Sequence, residues 1–100
     1  MIPGDPDIST FRWVDKEPVP LKISRPVYPS MAIESGITGK VFVKVLVDQE
    51  GNPKYAVVIK SSSLVLNNSA VDASLKSKFK PAIVAGKKVS FWIVIPYSFK

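Results

Sequence analysis

Three sets of residues in this chain have the types that chemistry needs. The first is Ser61-Ser62-Ser63, a run of hydroxyls. A serine becomes a nucleophile when a neighbouring base takes its proton. The chain has no histidine and no cysteine, so the commonest base and the other strong nucleophile are both missing. The serines read as the polar end of a strand, and no enzymatic activity is expected. The second set is Asp48, Glu50 and Asn52, alternating oxygen donors of the kind that hold calcium. The twelve-residue frame of such a loop and its closing glutamate are absent, so the donors read as turn residues, and neither metal nor cofactor is expected. The third set is cationic. The chain carries 14 Lys and Arg against 8 Asp and Glu, a net charge of +6. Residues 1–20 hold four acids and two bases, whereas residues 21–100 hold twelve bases and four acids. A basic body suits nucleic acid, anionic lipid or acidic protein partners. Its lysines are scattered over every segment, and no aromatic–basic strand pattern of RNA-binding sheets accompanies them, so a nucleic-acid partner is not expected.

The elements that position these residues are legible. Gly39 to Ser63 has the most regular alternation in the chain. Val41, Val43, Val45 and Val47 share one side of an extended segment, and Phe42, Lys44, Leu46 and Asp48 share the other. Asp48-Gln-Glu-Gly-Asn-Pro53 supplies turn formers, and the apolar run Tyr55–Ile59 follows, so the stretch predicts a β-hairpin. Pro29 followed by residues 30–35 and Gly36 predicts a short helix. A second helix is expected from Asn67 or Asn68, either able to cap it, to about Lys78. Val71, Leu75 and Phe79 would form its apolar stripe, flanked by Ala70 and Ala73. Ala85 to Lys88 reads as a turn, and Val89 to Phe99 as one long strand. Pro96 in that strand removes a ladder donor, which places it at a sheet edge. Trp92 lies on the opposite parity from Phe91, Ile93 and Ile95. It is exposed if the helices cover the odd face, and core if a bulge at Pro96 reverses the parity. Tyr28 either fills the gap between the first helix and the sheet or touches a partner.

The expected architecture is α+β, a three-stranded antiparallel sheet with two helices on one face. Residues 1–21, with prolines at 3, 6, 18 and 20, form an extended arm, and residues 22–100 form the domain. Phe11 and Trp13 share a face of the arm and suggest that it docks. Cysteine usage leaves the compartment open. No run of about 18 apolar residues is present, and Met1 to Asp5 lacks the basic start and apolar block of a signal peptide.

The order of motifs resembles the TonB C-terminal domain family. Tyr28-Pro29, Ala32, Gly36, Gly39 and Val41 match its opening. Val45-Leu46-Val47-Asp48 with Gly51, Leu66-Asn67 with Ala70 and Ala73, Phe79-Lys80-Pro81-Ala82, and Val94-Ile95-Pro96 with Phe99 continue it. The resemblance implies a periplasmic domain joined by a Pro-rich spacer to an inner-membrane helix outside this chain, driven by a proton-powered motor. It implies binding of the TonB box of an outer-membrane transporter for siderophores, cobalamin or glycans, added as a strand beside the last strand. By resemblance the partner-binding residues are Arg25, Pro26, Tyr28 and Pro29, with Val89, Phe91, Trp92, Ile93, Val94, Ile95 and Tyr97. The family's best-studied member has Gln where Arg25 stands. Read from the residues alone, an apolar open edge is a hazard unless it is covered or used to bind an extended peptide. Pairing with a second copy in an envelope or sensor protein is the alternative use of the same edge.

Overall fold

In the computed structural model, which describes residues 15–100, the chain is built around the valine alternation. Val41, Val43, Val45 and Val47 are fully buried in strand β2 (Gly39–Val47). The sheet order is β3-β2-β7, with β3 Pro53–Ser61, β7 Phe91–Phe99 and both pairings antiparallel. The central strand therefore holds the core, and each neighbour has one edge that no described strand pairs. Helix α1 (Ser30–Glu34) and helix α2 (Asn67–Lys76) complete the expected α+β layer. Among the described residues no helix is long and apolar enough to cross a membrane.

Local chemistry sets the joints. Helix α1 is five residues long, too short to stand alone. It is held by buried Ala32 and by its end, where Ile37 N–H donates to Ala32 C=O (2.8 Å) and Gly36 N–H to Ile33 C=O (3.2 Å). Gly36 takes φ +67° there, the left-handed step that this stop requires. At the hairpin turn, Asp48 Oδ1 accepts from Glu50 N–H (2.9 Å) and Asn52 N–H (2.8 Å). Partial burial pushes the Asp48 carboxyl up. The two backbone donors, Asn52 and then Glu50, and the Lys54 ammonium outweigh it and hold the group below its ordinary 3.8. The three serines are structural too. Ser62 Oγ binds Lys40 N–H (2.9 Å), and Ser63 Oγ accepts from Val65 N–H (3.4 Å).

Four expectations need correction. Ser63, and neither asparagine, caps the second helical segment, because a 3-10 turn (Leu64–Leu66) runs directly into α2. Helix α2 ends at Lys76 and turns its small side to the core. Ala70, Ala73 and Ser74 are buried, while Leu75 is exposed. Small side chains let the helix lie close to the sheet, and the two serines stay satisfied. Ser74 Oγ bonds Ala70 C=O (3.0 Å) and the Tyr97 hydroxyl (3.0 Å), and Ser77 Oγ donates to Ala73 C=O (2.8 Å). Phe79 is buried from a strand, β4 (Lys78–Lys80), which pairs with β1 (Val19–Lys22). Lastly, the long final run is broken at Ser90. Val89 belongs to β6 (Lys87–Val89), which hairpins with β5 (Ala82–Val84).

The hairpin tip is pinned to β4. Phe79 N–H donates to Gly51 C=O (3.0 Å), and Lys78 Nζ donates to Asn52 Oδ1 (2.9 Å). Gly51 has φ +85°, and a Cβ there would stand 1.9 Å from the Phe79 oxygen, so only glycine fits.

Candidate peptide-binding edge

Strand β7 offers its partner β2 nine consecutive pairs, from Gly39 with Phe99 to Val47 with Phe91, with no slip. An unbroken register keeps the strand regular. Among the described residues no strand pairs with its other edge. Along that edge lies a groove of about 740 Å³. Its sheet side is formed by Phe91 to Pro96 and Lys44, and its far side by Glu17, Pro18, Pro20 and Ile23 of the arm.

The arm is fixed in place by backbone bonds. Asp15 and Lys16 donate N–H to Ile83 C=O (2.8 and 3.2 Å), and Ile83 N–H donates to Lys16 C=O (2.9 Å). Residues 19–22 pair with β4, and Ser24 N–H donates to Ser77 Oγ (3.1 Å). The expected boundary between residues 21 and 22 falls inside β1. Phe11 and Trp13 lie outside the described residues.

The expected contact residues divide into three groups. Ile93, Val94 and Ile95 line the groove, with Val94 half exposed. Phe91 and Trp92 also line it but are buried, and Tyr97 is buried in the core, so these three offer backbone more than side chain. Val89, in β6, is not brought to the groove. Arg25, Pro26, Tyr28 and Pro29 lead from the arm into α1, with Arg25 exposed. The Tyr28 hydroxyl donates to Ile37 C=O, and its ring meets Phe99 edge-on at 5.6 Å and 77°. Tyr28 thus fastens α1 to the end of β7, a contact that contributes on the order of 1 kcal/mol beyond its area.

Trp92 follows neither sequence expectation. The parity does not reverse, and yet the ring is 7% exposed on the face away from the helices. Lys44, one strand over, places its ammonium 5.0 Å from the ring centroid, a cation–π contact. The indole N–H is buried and meets no acceptor among the described residues. Sequence reasoning missed Glu17, Pro18, Pro20, Ile23 and Lys44 as groove residues. The proline spacing in the arm was the available signal.

Together, the sheet order, the two described helices on one face and a last strand whose outer edge no described strand pairs define a small α+β domain. The sequence pattern of the Gram-negative bacterial TonB protein C-terminal family matches residues 24–100. The chain is 35% identical over 88 residues to Protein TonB of Vibrio cholerae, covering 87% of this chain and 36% of that protein. It is 37% identical over 75 residues to Protein TonB of Xanthomonas campestris, covering 74% and 34%. The solution NMR structure of the Pseudomonas aeruginosa TonB CTD superposes with a TM-score of 0.69 at 31% identity, covering 86% of this chain and 88% of that one. The chain belongs to the TonB C-terminal domain family, and it spans about a third of the length of these two sequence relatives.

Proposed function

We propose that this chain is the periplasmic end of a TonB-type energy transducer. Residues 22–100 bind the TonB box of an outer-membrane transporter as a strand added to β7. Residues 1–21 lead toward an inner-membrane anchor, through which a proton-driven motor pulls for siderophore, cobalamin or glycan import. The role is binding and force transmission, without catalysis. The observation that carries this reading is the unslipped β7 edge, which no described strand pairs, beside a groove. Backbone pairing supplies affinity with little sequence demand, so selectivity falls to side chains near the groove, with Arg25 suited to a partner carboxylate.

The test is a titration of isotope-labelled protein with transporter N-terminal peptides. Shifts concentrated in the amides of residues 91–97 are expected, and Arg25→Glu weakens acidic peptides while sparing neutral ones. Shifts confined to β3 or α2 refute the reading. A second copy pairing along β7 is the alternative. Sedimentation showing a dimer that the peptides dissociate would favour it.

A further inference from the structure

The groove has a second wall, and that wall lies outside the family match, which begins at residue 24. Pro18 and Pro20 line it with rings in place of amide donors. Two prolines, two residues apart, remove N–H groups from the same edge of an extended segment. The arm therefore stands beside β7 without becoming its fourth strand, and leaves a gap open to another. It is held there from behind by β4, Ile83 and Ser77, so the gap is a fixed slot. Glu17 lines the same wall, is exposed, and makes no ion pair among the described residues. It is an acid on the wall of a groove in an otherwise basic body.

We propose that residues 17–23 are part of the peptide site, and that Glu17 selects an extended peptide bearing a basic side chain. This rests on the strand-addition reading above. The bound peptide would pair with β7 on one side. On the other, apolar side chains would pack on Pro18 and Pro20, and one Lys or Arg would meet the Glu17 carboxylate.

The probe is a seven-residue peptide of alternating valine and threonine, in which a single lysine, then a single glutamate, is walked through every position. Binding is followed by amide shifts in wild type, in Glu17→Lys and in Glu50→Lys. Glu50 is exposed in the hairpin loop, so that variant makes the same charge change away from the groove. At one or two positions lysine should bind wild type about threefold more tightly than glutamate, the scale of an exposed ion pair. Glu17→Lys should invert that preference, and Glu50→Lys should leave it intact. Shifts along β7 with no inversion, or equal effects of the two variants, overturn the assignment of Glu17 while strand addition stands. If no peptide moves the β7 amides, strand addition fails, and the assignment with it.

Discussion

The two open edges of the sheet are built to opposite rules. β3 starts at a proline, slips register twice against β2, and carries exposed Lys54 and Lys60. β7 keeps nine unslipped pairs, carries no lysine or arginine, and is flanked by the arm. Bulges, charges and an initial proline are the devices by which a protein keeps an edge from pairing. The contrast teaches that one edge is closed by its own sequence, while the other is left regular and, among the described residues, is flanked by a wall. β3 has large apolar side chains in the open, with Tyr55, Val57 and Ile59 each more than half exposed. Apolarity alone therefore does not distinguish the two edges; regularity does.

The most severe test removes what both edges share. Val43→Asp places an unpaired charge in the fully buried stripe of β2, at a cost of several kcal/mol. It is expected to unfold the domain in a urea melt, taking both edges with it. The next test separates them. Ile93→Pro and Val94→Pro are adjacent, so one of the two strikes an outward amide of β7. That variant should stay folded by circular dichroism and lose peptide binding at least tenfold. The same pair of substitutions on β3, Tyr55→Pro and Ala56→Pro, should yield a folded variant that binds as wild type. Binding retained by both folded β7 variants would end the contrast.

A smaller effect sharpens the β7 side. Lys44→Asp removes the cation over Trp92 and should cost about 0.5–1 kcal/mol in stability, read by denaturant midpoint and by Trp92 emission. The smallest is on the β3 side, at the turn that starts it. The Asp48 carboxyl is held below its unfolded value, so its stabilisation is present above that value and is lost as pH falls through the depressed folded one. Wild type should lose stability against Asp48→Asn on acidification below about pH 4, and the two should run parallel at neutral pH.

How much of this the sequence disclosed follows from the range of each signal. The valine stripe, the Asp48–Pro53 turn and the Gly36 stop are local patterns, and the structure keeps them. The edge position of β7 was legible from Pro96 and the strand count. Strands β4, β5 and β6 are three residues each, and Lys78-Phe79-Lys80 has no period to detect; they exist because distant segments pair. The orientation of α2 was misread because a row of large residues at every fourth position outweighs alanine and serine on any hydropathy measure. Closeness of approach decided the packing instead. Parity could not place Trp92, which lines a groove whose far wall comes from residues about seventy positions away.

That distance has a kinetic consequence. The β2–β3 hairpin closes a loop of a few residues, whereas the bond from Ser24 to Ser77 joins residues 53 apart, and those from Asp15 and Lys16 to Ile83 span farther still. Chain closure between remote points is entropically dearer and comes late in folding. The arm, whose strand β1 buries no side chain, is thus the last segment to find its place. The sheet is therefore complete before its β7 edge acquires the second wall.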